Sequence, residues 1–149
     1  MDIKIIIKPL TEVVQSEWQA LWLGYQAFYK TTITDDFTAL TWSRLTDVHL
    51  NQMYGFAAWI ENEVVGIVHI IEHDSCWTIK PYAYLQDLFT LEHARGKGVA
   101  TALIQHADQY TQQRGCDHLY WLTHQDNQTA QTLYNRVAKK TGFIQYRMP

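Results

Sequence analysis

Between Leu85 and Ala107 the chain reads LQDLFTLEHARGKGVATALIQHA: an apolar strand pattern enters a basic, glycine-punctuated turn, and the turn opens an amphipathic helix. The first N–H groups of a helix have no intrahelical partner and carry the positive end of the dipole, so such a turn suits a pyrophosphate close to the backbone. Gly96 and Gly98 permit that approach because they carry no side chain. Behind them Ala100, Leu103, Ile104 and Ala107 recur at i, i+3, i+4 and i+7, the stripe that seats a helix on a sheet. A strand and helix joined this tightly point to a mixed α/β domain.

The remaining patterns fill in that domain. Ile3 to Lys8 reads as a strand, and Pro9, Thr11 and Glu12 announce a helix in which Val14, Trp18, Leu21, Trp22, Tyr25 and Phe28 keep near-helical spacing through Tyr29. A shorter helical pattern runs from Asp35 to Leu45. Gly55 to Ile60 and Val64 to Ile71 are β-branched or aromatic runs around Glu61-Asn62-Glu63, which predicts a hairpin, and Tyr82 to Leu91 reads as a third strand. After the glycine turn, Gly115 ends the helix, His118 to Thr123 reads as a strand, Asn127 to Lys139 as a helix and Phe143 to Met148 as a last strand. The expected order is β-α-α-β-β-β-α-β-α-β. No repeat or linker interrupts the 149 residues, so a single domain, 1–149, is expected, long enough to bury about two-thirds of its unfolded surface.

Composition removes several classes of function. Hydrophobic residues make up 47% and charged residues 18%, which is too apolar for a disordered chain. The formal charge of −3 gives no basic field, so nucleic acid is not expected as the main partner. The apolar runs are too short for a membrane span or a signal peptide, so no membrane association and a cytoplasmic location are expected. Cys76 and Cys116 lack metal-type spacing and read as reduced thiols.

Three sharper motifs compete for the chemistry. Gly96-x-Gly98-x-x-Thr101 approaches the dinucleotide fingerprint, but a threonine replaces the third glycine, and Asp117 precedes a strand where the ribose acid should end one. A nucleotide P-loop requires Ser or Thr after Gly-Lys, and Lys97 is followed by Gly98. His69-Ile-Ile-Glu72-His73 matches the H-x-x-E-H arrangement of a class of zinc peptidases, which needs a helix. The surrounding valines and isoleucines predict a strand instead, on which Glu72 points away from both histidines; these polar residues are expected to face solvent, and no metal is expected. On spacing alone Tyr134 reads as core, since it shares an apolar stripe with Ala130, Leu133 and Val137.

Arg95-Gly-Lys-Gly-Val-Ala100 fits the pattern Arg/Gln-x-x-Gly-x-Gly/Ala, and Asn127-Gln-Thr-Ala-Gln-Thr-Leu-Tyr134 followed by Gly142-Phe143 supplies a second signature downstream. With both in place, the chain resembles the GNAT family of acyl-CoA-dependent N-acetyltransferases over nearly its whole length. The resemblance implies an α/β GNAT fold: a central mixed, mostly antiparallel sheet with a splayed strand pair, flanked by about four helices. It implies acetyl-CoA as the acetyl donor, with the pantetheine arm pairing with the backbone of Leu88, Phe89 and Thr90 and the pyrophosphate held by Arg95, Gly96, Lys97, Gly98, Val99 and Ala100. Asn127 matches the family position that helps to fix the cofactor, and Tyr134 the position that protonates the departing thiolate.

The implied reaction is direct transfer of acetyl to a primary amine, of the small-amine, polyamine or lysine type. Asp87 is the carboxylate available to relay the amine proton or bind the acceptor, while Gln86 stands where polyamine-directed relatives tend to carry glutamate. The spacing from Tyr134 to Gly142 is longer than the common form and is similar to a subgroup that includes histone- and polyamine-directed enzymes. Tyr25, Tyr29, Asp35 and Trp121 are the candidate acceptor-binding residues, because aromatic groups with nearby acids suit a cationic amine. A non-catalytic acetyl-CoA-binding or regulatory module on the same fold is the alternative. Dimers are common in the resembling family, so a homodimer is a further expectation.

Overall fold

The computed structural model describes residues 2–149. Five strands form one sheet in sequence order: β1 (Ile5–Pro9), β2 (Met53–Ile60), β3 (Glu63–His73), β4 (Tyr82–Thr90) and β5 (Leu119–Tyr120). The first four are antiparallel; β5 joins β4 in parallel. The helices are α1 (Gln15–Phe28), α2 (Asp35–Thr46), α3 (Val99–Gln113) and α4 (Gln128–Val137).

Strand alternation sends side chains to both faces of the sheet, and each face has its own core. On one face Phe56, Ala58, Val68, Ile70 and Ala83 meet Val99, Leu103, Ile104 and Ala107 of α3. On the other, Ala57 and Ile67 meet Trp18, Leu21 and Trp22 of α1, with Leu45 of α2. This explains why β3 reads as a continuous apolar run rather than an alternating one: from Val64 to Ile70 every residue is buried. Gly66 sets how closely α3 approaches, since a Cβ there would lie 2.7 Å from Cγ1 of Val99, in the first turn of that helix. The sheet thereby fixes the start of α3, and with it the glycine turn.

Two expectations fail at the end of the chain. The strand predicted over His118 to Thr123 pairs at only two positions, Ala83 with Leu119 and Tyr84 with Tyr120. The strand predicted over Phe143 to Met148 is not formed; Phe143, Ile144, Tyr146 and Met148 are 91%, 77%, 88% and 87% exposed. A strand exists only by pairing, and a two-residue β5 offers a neighbouring strand almost no ladder to pair with. The last helix also stops at Val137, short of the expected Lys139.

Candidate active site

The glycine turn has the predicted backbone geometry. Gly96 and Gly98 have φ of +77° and +86°, a left-handed conformation that a side chain strains, and a Cβ on either would meet open space rather than protein. Gly98 is the N-cap of α3 and supplies no side-chain cap; the first backbone bond of the helix is donated by Ala102 to Gly98 O. The N–H groups of Val99, Ala100 and Thr101 are therefore left for a ligand. Arg95 is braced from behind. Its Nε donates to Thr90 O at 3.2 Å, and its guanidinium lies 5.7 Å and 5.9 Å from the ring centres of Phe28 and Phe89.

Beside the turn, β4 and β5 part after Tyr84 and Tyr120, which leaves the outer edge of β4 without a strand partner from Leu85 onward. Leu91 donates to Val65 O on the β3 side, so alternation turns the backbone of Phe89 toward β3 and that of Leu88 and Thr90 toward the open edge. Of the three residues expected to pair with a pantetheine arm, Leu88 presents both backbone polar groups to the gap and Thr90 its N–H, the Thr90 carbonyl already accepting from Arg95. The hydroxyl of Thr90 is buried without a hydrogen-bond partner in the protein. An open strand edge that runs into an uncapped helix N-terminus fits the extended shape of acetyl-CoA.

On the far side of the gap α4 carries Tyr134, whose ring packs edge-on to Trp121 at 5.4 Å. Burial, with the nearby Tyr29 adding to it, raises its phenol above the usual value, so the group keeps its proton at neutral pH. Asn127 caps this helix: its Oδ1 accepts from the Ala130 N–H at 3.1 Å, a local role that already accounts for an asparagine there.

A cavity of about 530 Å³ opens between α1, α2 and the sheet, lined by Trp22, Tyr25, Tyr29, Arg44, His69 and Asp87 among others. Tyr25, Tyr29 and Asp87 were expected at an acceptor site, and the fold brings them together. Asp35 lies exposed in the first turn of α2 and Trp121 against Tyr134, so neither lines this cavity. The Tyr25 phenol is pushed well above its ordinary range by burial and then by Asp87 beside it.

His69 corrects the sequence reading. Rather than facing solvent it is 3% exposed, accepting at Nε2 from the Trp18 indole N–H at 3.0 Å and pairing through Nδ1 with Asp87 Oδ2 at 2.9 Å. Glu72 does point the opposite way, to Tyr54 and Arg114. Trp18, Trp22, Gln26 and Arg44 also went unremarked as site residues. One signal was available: His69 shares its parity with Ile67 in a run too apolar to be one-sided, and a histidine buried there must find polar partners.

Comparison with known proteins agrees with this geometry. The model of the Acetyltransferase (GNAT) family matches residues 12–138. A D-amino-acid N-acetyltransferase of Saccharomyces cerevisiae is 30% identical over 97% of this chain and 90% of its own length. Among solved structures, an aminoglycoside N-acetyltransferase in complex with CoA superposes with a TM-score of 0.84 at 17% identity, covering 100% of this chain and 97% of that one. A ribosomal-protein-alanine N-acetyltransferase of Brucella melitensis gives 0.76 at 18% identity, covering 99% and 98%. Family match and full-length relative concur with the open strand edge and the glycine turn: the chain belongs to the GNAT family and is an acetyl-CoA-dependent N-acetyltransferase.

Proposed function

We propose that the acceptor is a small amino acid or closely similar zwitterion, acetylated on its primary amine in the cavity between α1, α2 and the sheet. The observation that carries this reading is charge of both signs in one cavity: Asp87 for an ammonium and Arg44 for a carboxylate. Trp22 and Gln26, lining the same cavity, each bury an N–H donor with no partner in the protein, and acceptor oxygens answer that deficit. The D-amino-acid specificity in the name of the yeast relative supports the same class. The aminoglycoside acetyltransferases among the structural neighbours keep a polycationic amine as the second reading, which Asp87 alone would favour.

Acetyl-CoA, when bound, supplies a thioester that a neutral amine attacks directly, with coenzyme A released as the thiol. Leu88 and Thr90 pair with the arm, Arg95 to Ala100 hold the pyrophosphate, and Asn127 steadies α4. Tyr134 holds the proton that the leaving sulfur takes, and Tyr29 links its surroundings to the acceptor cavity. Asp87 binds the incoming ammonium and relays its proton to water, a contribution of about 10²- to 10⁴-fold for general catalysis of this kind.

The test is coenzyme A release with D- and L-phenylalanine, phenethylamine, spermidine, kanamycin and a lysine peptide. Turnover of a phenylalanine at least tenfold above phenethylamine supports the zwitterion, and Arg44→Met should abolish that preference. Higher turnover of kanamycin or spermidine overturns it. Binding of acetyl-CoA without turnover of any acceptor favours the regulatory module.

We also propose a homodimer in which the exposed apolar side chains of Phe143, Ile144, Tyr146 and Met148 of one copy pack against the other. Light scattering at micromolar concentration should give twice the chain mass for the wild type and the single mass for Ile144→Asp; a monomeric wild type refutes the arrangement.

A further inference from the structure

The acceptor reading leaves one buried group unexplained. His69 takes no part in holding acetyl-CoA and presents no nitrogen to the cavity, yet both ring nitrogens are engaged. An indole N–H is only ever a donor, so Nε2 of His69 must carry a lone pair toward Trp18. The single ring proton is then on Nδ1, where it is donated to Asp87. A second proton on Nε2 would face the Trp18 N–H, donor against donor, in a site closed by the rings of Trp18 and Trp22 at 6.0 Å and 5.2 Å. We infer that Trp18 and His69 form a buried positioning relay that locks His69 in its neutral Nδ1–H tautomer and thereby fixes Asp87 as an oriented carboxylate for the acceptor ammonium. The inference rests on the acceptor cavity proposed above.

Local structure explains why a relay is needed. The register between β3 and β4 shifts at this point, pairing His69 with Asp87 but Ile70 with Leu85, so Gln86 is the extra residue of a bulge. A bulge re-aims the side chains around it and loosens the ladder that would otherwise hold them. The hydrogen bond from Nδ1 ties Asp87 to the rigid central strand, and Trp18, fully buried on α1, ties His69 to the helix that lines the cavity. The carboxylate is 15% exposed, enough for one face to meet an acceptor while the other is occupied.

Nitrogen-15 NMR of the ring and steady-state kinetics with the more active phenylalanine enantiomer test the relay. Wild-type His69 should show the Nδ1–H tautomer alone at pH 7.5, and Trp18→Phe, which keeps an aromatic ring but removes the donor, should give a mixture with Nε2–H. His69→Asn places an amide where Nδ1 stands and should keep the acceptor KM within about threefold. His69→Gln, whose amide reaches toward Trp18 instead, should raise it about tenfold, with the KM for acetyl-CoA within twofold in both. Equal behaviour of the Asn and Gln variants at matched melting temperature, or an Nε2–H tautomer in the wild type, overturns the relay. An unchanged acceptor KM in Asp87→Asn overturns the acceptor reading and the positioning role with it. The tautomer result still shows in that case whether Trp18 sets the state of His69.

Discussion

The two ends of the sheet are built to different standards. From β1 to β4 the strands pair over five to eight positions each, and α1 buries Trp18, Leu21, Trp22 and Gln26 against them. From β4 to β5 the pairing lasts two residues, and α4 has no buried residue although its apolar stripe is clear in the sequence. The closed end is held by its own strand pairing and packed side chains. The open end keeps backbone donors and acceptors free along β4, and an extended ligand can complete it as an added strand would. Stability is thus concentrated around the cavity proposed for the acceptor, and incompleteness along the edge proposed for the acetyl donor.

Substitution at the closed end should give the largest effect on stability. Trp18→Ala removes a fully buried indole from the centre of the α1 core and is expected to cost about 3–5 kcal/mol, read as a lowered denaturant midpoint. A loss below about 1 kcal/mol would erase the contrast between the two ends. At the open end the opposite behaviour is expected. Tyr134→Phe should leave the melting midpoint within about 1 °C and lower kcat about 10²- to 10⁴-fold, with the dissociation constant for acetyl-CoA unchanged. Because burial holds the Tyr134 proton above the ordinary phenol value, the wild-type rate should not fall between pH 7 and about pH 9.5 through loss of that proton.

Ligand binding sharpens the comparison further. Acetyl-CoA at 100 times its dissociation constant should add about 2.7 kcal/mol of stability. Hydrogen exchange should show new protection at Leu88, Thr90 and the first turn of α3, and little change in β2. Protection spread evenly over the sheet would mean that the open end is not where the ligand docks. The smallest effect concerns His106, packed edge-on to Phe56 at 4.5 Å, whose basicity burial lowers. The folded state prefers the neutral ring, so its contribution is complete above the unfolded value of about 6.5 and is lost as pH falls below it. His106→Phe should shrink the loss of melting temperature between pH 7.5 and pH 5.5; an identical loss in the variant would refute the assignment.

What could be read from the chain follows from how local each feature is. The glycine turn depends on residues within one strand, one turn and one helix, so Gly96, Gly98 and the stripe behind them announce it without tertiary information. The hairpin, α2 and α3 lie within one or two residues of where periodicity puts them, for the same reason, whereas α1 begins only at Gln15, after a separate 3-10 turn over Leu10–Glu12 where the helix start was expected. Asp87 was visible as a carboxylate but not as an oriented one.

The remainder depends on contacts between residues far apart in the chain. His69 reads as a surface residue until α1, 51 positions away, delivers the Trp18 N–H to its ring. Arg44, Trp22 and Gln26 line one cavity only because α1 and α2 fold over the same face of the sheet. The segment from Phe143 to Met148 has every local mark of a strand and remains unpaired, because strand formation is a property of two segments, and the short β5 cannot serve as the second. Sequence by itself determined most of the helices and the turn, which are written in short-range periodicity and backbone conformation, and the resemblance carried by its motifs implied the class of donor. Tertiary structure alone decided which polar groups share a cavity and which edge stays open, because burial and pairing are set by the neighbours that the fold supplies.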